Sequence, residues 1–152
     1  MSSLSQGKIV LHWFRRDLRW HDNRALHAAL NSGHFVLPMF VFDRAILDAL
    51  DAKNDARVTF LHDRVTHLDV QARKKGAGLW VEHGNPLDVL NSLCDRFDVA
   101  EVHTNQDYEP YALERDTKVR EMLEARGVAF HTHKDHVVKA PGEVTKPDGL
   151  PY

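Results

Sequence analysis

The strongest constraint on this chain is an alternation of short apolar runs with longer amphipathic segments. Ile9 to Phe14 and Val36 to Phe42 are apolar almost throughout, with no regular polar position every second residue. Runs of this kind suit strands of a sheet that is covered on both faces. Three further strands are expected at Leu79–Val81, Val99–His103 and Val128–His131.

Between the strands lie helical patterns. Asn23–Asn31 follows Asp22, a plausible N-cap, and stops at Gly33. Residues 44–50 suit a short helix. Arg57–Lys75 repeats apolar residues at three- and four-residue steps (Val58, Leu61, Val65, Leu68, Ala72) and ends at Gly76 and Gly78. Pro86 opens a helix to Arg96, where proline suits the first turn. Residues 111–126 form the last helix, with Leu113, Val119, Met122 and Leu123 expected on its buried side and Gly127 as its stop. Strands joined through helices make βα units, and right-handed crossovers put helices on both faces of a parallel sheet. The expected fold is therefore α/β, a five-stranded parallel sheet with helices on both faces.

Composition narrows the function classes. The 152 residues suit one domain, and 43% apolar with 28% charged residues is ordinary for a globular protein. A net charge of −2 argues against an autonomous nucleic-acid-binding domain. The single cysteine, Cys94, excludes an internal disulfide; its apolar helical setting marks a buried structural thiol. No apolar run approaches a membrane span, and residues 1–7 lack a signal-peptide pattern, so a cytoplasmic protein without a membrane partner is expected. The tail from Ala140 to Tyr152 holds three prolines and two glycines, and reads as a linker that follows a domain of residues 1–139.

Open parallel sheets bind ligands at the carboxyl ends of their strands. The segments leaving the strands are then the candidates: 15–23, 43–47, 82–86 and 105–110. The first is the densest, with Arg15, Arg16, Arg19, Asp17, Asp22, His21 and Asn23 beside an expected helix N-terminus. Such a set favours a ligand with anionic or carbonyl-rich edges, or else forms a structural network of its own. The segment after the fourth strand offers Asp107 and Glu109 as carboxylates and Tyr108 and Tyr111 as stacking surfaces. Its bland alternative is a solvated loop, with Glu114, Arg115 and Asp116 making helix-surface pairs. Neither a glycine-rich dinucleotide fingerprint nor a phosphate loop is present. His131, His133 and His136 match no strong metal motif, so no metal site is expected.

Four segments resemble the photolyase/cryptochrome family. They are WFRRDLRWHDNRAL (13–26), PMFVFDRAIL (38–47), NQDYEPYALERD (105–116) and DHVVKAPGEVTKPDGLPY (135–152), and they cover nearly the whole chain in order. The resemblance implies a Rossmann-like amino-terminal domain that holds a light-harvesting antenna chromophore. It also implies that FAD binds in a helical domain of the same polypeptide beyond Tyr152. Catalysis, as a deoxyribodipyrimidine photolyase (a carbon–carbon lyase acting on damaged DNA), then belongs to the full-length protein and not to this part alone. Folate-type members carry an Asn-Glu pair where this chain has Tyr111 and Ala112. The resemblance therefore favours 8-hydroxy-5-deazaflavin as the antenna, ahead of FMN and methenyltetrahydrofolate. The family's pocket maps onto Asp107 and Glu109 as acceptors for the ring system, onto Phe14, Arg15 and Arg16 as backbone and stacking contacts, and onto Asp43 and Ile46 in a covering loop. Two other readings compete: a cryptochrome blue-light receptor domain, and a free-standing nucleotide-binding α/β protein.

Overall fold

The computed structural model describes residues 7–48 and 55–134. Five parallel strands, β1 (Ile9–Phe14), β2 (Phe35–Asp43), β3 (Trp80–Gly84), β4 (Val99–Asn105) and β5 (Ala129–His133), lie in the order β3-β2-β1-β4-β5. This is the doubly wound arrangement expected from the alternation, with the strand order reversing beside β1. The expected linker 140–152, residues 49–50 and His136 lie outside the described residues. No described helix is long and apolar enough to cross a membrane.

Side chains alternate across β1 and feed two cores. Leu11 and Trp13 join Met39, Val41 and Val102 under helices α4 (Pro86–Arg96) and α5 (Pro110–Ala125), through Leu90, Leu93, Val119 and Leu123. Phe14 faces the opposite way, into a core with Phe40, Phe42 and Leu79 that α3 (Ala56–Lys74) closes with Val65 and Leu68. The lack of alternation in β1 and β2 is the signature of this burial on both faces. A short helix α1 (Arg24–Leu30) buries Ala25, Leu26 and Ala29, and α2 (Arg44–Asp48) follows β2 directly.

Several boundaries and one helix phase differ from expectation. The N-cap of α1 is Asn23, whose side chain accepts from the Leu26 amide; Asp22 sits one residue earlier with φ of 48°. An aspartate tolerates that left-handed conformation better than most residues. β3, β4 and β5 run further toward their carboxyl ends than expected, because parallel neighbours pair with residues whose polarity had marked them as loop. Leu113 is 51% exposed. α5 buries Val119 and Leu123 and packs Met122 against the core as expected, but takes Ala112 and Arg115 inward in place of Leu113. Cys94 is half-buried against the core; burial pushes its thiol pKa up, which fits the inert role expected of it.

Candidate functional site

At the strand order's reversal, the crevice between β1 and β4 is filled by a buried polar network. Asp17 accepts hydrogen bonds from the Arg15 amide (2.9 Å), Asn23 Nδ2 (3.0 Å) and Asn105 Nδ2 (2.6 Å). Asn105 Nδ2 also donates to Asn23 Oδ1 (2.9 Å), and Asn105 Oδ1 accepts from the Ala25 amide (3.0 Å). The network ties the β1 loop, the end of β4 and the start of α1 together. It also uses the amides of Ala25 and Leu26 that the expected anion site at this helix N-terminus required. Of the two readings open for this segment, the structural network is the one observed: α1 does not offer those donors to a ligand, because Asn23 and Asn105 occupy them.

The open cleft lies beside this plug, over the carboxyl ends of β1 and β2. It has a volume of about 330 Å³, at the small end for a ligand pocket. Trp13, Phe40 and Val41 supply its apolar floor, and Leu18, Leu47 and Leu61 its apolar walls. Ile46 and the largely exposed Phe60 stand at its edge. Arg15, Arg16, Asp43, Asp107 and Arg115 add charge to the lining. Five of the seven residues predicted for the site therefore converge: Arg15, Arg16, Asp43, Ile46 and Asp107. The other two do not line it. The Phe14 ring is fully buried in the second core, packed edge-on against His12 and Trp20, and is not part of the cleft lining. Glu109 is the residue before α5, with its side chain largely exposed on the rim.

Two guanidinium groups flank the Trp13 ring, Arg15 at 4.9 Å and Arg115 at 5.0 Å from its centroid. Arg15 is buried, and pairs with Asp116 at 2.5 Å and with the backbone carbonyl of Asn105. Burial pulls its pKa down from the ordinary arginine value, against the opposing pull of Asp116. Arg115 reaches Asp116 at 3.2 Å and Asp43 at 3.5 Å. Asp43 also accepts from the Tyr111 hydroxyl at 2.8 Å and from the Ala45 amide at 3.0 Å. Burial, followed by that bond to Asp43, raises the Tyr111 phenol to about 12. On the rim, exposed Arg16 sits 3.6 Å from both Asp107 and Glu109.

The donors are not all used. Arg15 Nε and Arg115 Nη2 are buried nitrogens without a hydrogen-bond partner among the described residues. A buried N–H without an acceptor costs about 1–3 kcal/mol, so such groups call for an explanation. Both residues line the cleft, but these two nitrogens are themselves closed off from it, so a ligand there meets other atoms of the two side chains.

Sequence reasoning missed Trp13, Arg115 and Phe60. Arg115 was weighed only as a helix-surface pair, yet it and Asp116 are largely buried. Its position three residues after Ala112 and four before Val119, on the inward phase, was the available sign. Phe60 and Leu61 come from α3, which no motif linked to the strand ends. Tyr111 was weighed as a stacking surface and is held instead by its hydroxyl; Tyr108 bonds Gln106 in a neighbouring hollow.

Comparisons with known proteins identify the family. The family model described as DNA photolyase matches residues 10–152. The deoxyribodipyrimidine photo-lyase of Halobacterium salinarum is 38% identical over 95% of this chain. An archaeal photolyase from Sulfolobus tokodaii, solved with two FAD molecules and interpreted as implying a novel light-harvesting cofactor, superposes with a TM-score of 0.78 at 28% identity, covering 90% of this chain and 32% of its own. A bacterial class III photolyase from Agrobacterium tumefaciens superposes with a TM-score of 0.84 at 25% identity, covering 99% of this chain and 31% of its own. The chain spans 31% of the length of the Halobacterium protein.

Proposed function

This chain belongs to the DNA photolyase family, and from that membership we propose that it is the antenna-binding domain of a deoxyribodipyrimidine photolyase. The observation that carries the reading is the apolar-floored cleft whose lining brings Arg15, Arg16 and Arg115 together with Asp43 and Asp107. The ring dione of a flavin or deazaflavin presents carbonyl oxygens on a flat apolar body, which fits that donor set. We assign 8-hydroxy-5-deazaflavin as the preferred occupant, ahead of FMN and methenyltetrahydrofolate. The flavin-related antenna implied for the Sulfolobus relative supports a ring of this type.

In this reading each residue has a defined task. Arg15 and Arg115 donate to ring carbonyls. Asp43 and Asp107 accept from ring N–H or hydroxyl groups, and Tyr111 holds Asp43 in place. Ile46 and Phe60 cover the apolar edge and exclude water. Backbone at Phe14 to Arg16 forms the wall nearest β1. A bound chromophore supplies blue-light absorption and passes its excitation to FAD, which we place in the part of the polypeptide beyond Tyr152. Repair of pyrimidine dimers, contact with damaged DNA and residence in the cytoplasm are proposed for the full-length protein; this domain alone is not expected to catalyse the reaction.

The test is a fluorescence titration of the purified chain with 8-hydroxy-5-deazaflavin, FMN and methenyltetrahydrofolate in parallel. One chromophore is expected to bind at micromolar Kd or tighter, about −8 kcal/mol, with Arg115→Met weakening it at least tenfold. Equal affinity of wild type and Arg115→Met would overturn the site assignment. A dimer-repair assay on the full-length protein then separates a photolyase from a light receptor that repairs nothing.

A further inference from the structure

Away from the antenna cleft, β4 and β5 bring four ionisable side chains together. Parallel pairing sets His103 against His131, and Asn105 against His133. Alternation along each strand puts Glu101, His103, His131 and His133 on one face. Val102 and Phe130 point to the other, into the core beneath α4 and α5. His103 Nε2 lies 2.7 Å from Glu101 Oε2, and His131 Nε2 lies 4.0 Å from the same oxygen. The His103 ring stacks on His131 at 4.7 Å and on His133 at 5.2 Å.

We propose that Glu101, His103 and His131 form a binding site for a divalent transition-metal ion, with zinc as the preferred occupant. Their three ligand atoms lie within 4.8 Å of one another. Donors around a tetrahedral zinc, with bonds near 2.0–2.1 Å, stand about 3.4 Å apart. The 2.7 Å contact must therefore open slightly and the 4.0 Å contact close slightly, both within the reach of side-chain rotation. Imidazole and carboxylate together suit zinc rather than calcium or magnesium, which take oxygen ligands.

The surroundings supply what a histidine ligand needs. His103 Nδ1 lies 2.9 Å from His133 Nε2. With Nδ1–H of His103 donated to His133, the tautomer is fixed and Nε2 is turned toward the metal. The metal replaces the proton held between His103 and Glu101, and that proton leaves to solvent. His131 and Glu101 are partly exposed, so water completes the shell. Three ligands from two adjacent strands would clasp β5, the edge of the sheet, to β4.

Zinc titration of the untagged 152-residue chain against a competing chromophoric chelator tests the site. Expected is one zinc per chain at micromolar or tighter affinity, with cobalt giving the visible d–d absorption of a tetrahedral site. His131→Ala and Glu101→Gln, both at partly exposed positions, should each cut affinity at least tenfold. His133→Ala should cost about 10–100-fold as the orienting partner. His67→Ala, on exposed α3, should leave binding unchanged. Absence of one-to-one binding, or wild-type affinity in folded His131→Ala and Glu101→Gln, would overturn the proposal.

Discussion

Replacing Asn105 tests whether the crevice plug holds the fold together. The side chain makes three buried bonds, to Asp17 Oδ2 at 2.6 Å, to Asn23 Oδ1 at 2.9 Å and from the Ala25 amide at 3.0 Å. In Asn105→Ala the Asn23 oxygen keeps the Leu26 amide, and Asp17 keeps Arg15 and Asn23. The Ala25 amide, fully buried, loses its acceptor. One unsatisfied buried donor costs about 1–3 kcal/mol and one lost bond to a charged group about 1.5–3 kcal/mol, so the expected loss lies between about 2.5 and 6 kcal/mol. For a chain of this size that lowers Tm by roughly 10 °C. Asn105→Asp keeps the shape and puts a second carboxyl against Asp17. One of the two must then hold a proton at a raised pKa, so this variant should be least stable near pH 8 and recover toward pH 5. Urea unfolding at both pH values reads the two effects. A loss under about 1 kcal/mol for Asn105→Ala, or a pH-independent Asn105→Asp, would refute the reasoning.

Leu123→Ala should cost about 2–5 kcal/mol and Leu113→Ala no more than about 0.5, since α5 buries the first and exposes the second; equal losses in thermal melts would contradict the observed helix phase. The Tyr111 phenol is raised from 10 to about 12. Its contribution to stability is therefore complete below pH 10 and lost as pH rises toward 12, so alkaline absorbance titration should show a late tyrosine step that Tyr111→Phe removes. Within the proposed antenna site, Asp107→Ala should weaken chromophore binding about tenfold. Glu109→Ala, on the exposed rim, should change it less than threefold by fluorescence titration; the reverse order would move the ring toward α5.

The layered fold was legible because burial on both faces leaves its mark locally: β1 and β2 have no polar alternation, and α3, α4 and α5 start or stop beside an expected proline or glycine. The strand ends were less legible. His133 and Asn105 look like loop residues in isolation and become strand residues only through pairing with a neighbour. The same limit governed the site. Asp43, Asp107 and Arg15 follow strands directly and so were visible as candidates. Arg115 reaches the cleft from inside a helix, and Phe60 from a helix remote in sequence. The Glu101–His103 pair belongs with His131 only because two strands lie in register, which histidine spacing along the chain does not reveal.

The polar plug also explains where a ligand can go. In a doubly wound sheet the reversal of strand order opens a crevice, and a helix N-terminus beside it favours phosphate. Here Asp17, Asn23 and Asn105 close that crevice, and the carboxylate of Asp17 opposes any anion placed there. The remaining opening lies toward β2, floored by Trp13, Phe40 and Val41, with arginines balanced by Asp43, Asp107 and Asp116. Such a lining selects against a bare phosphate and for a flat, largely apolar ring with carbonyl edges. The absence of a glycine-rich phosphate loop and the presence of the plug thus both support the proposed reading, in which the ligand is held by its ring rather than by a phosphate. A ring analogue without its phosphate-bearing tail should therefore bind nearly as tightly as the whole chromophore, and a loss beyond tenfold would place the main contacts outside this cleft.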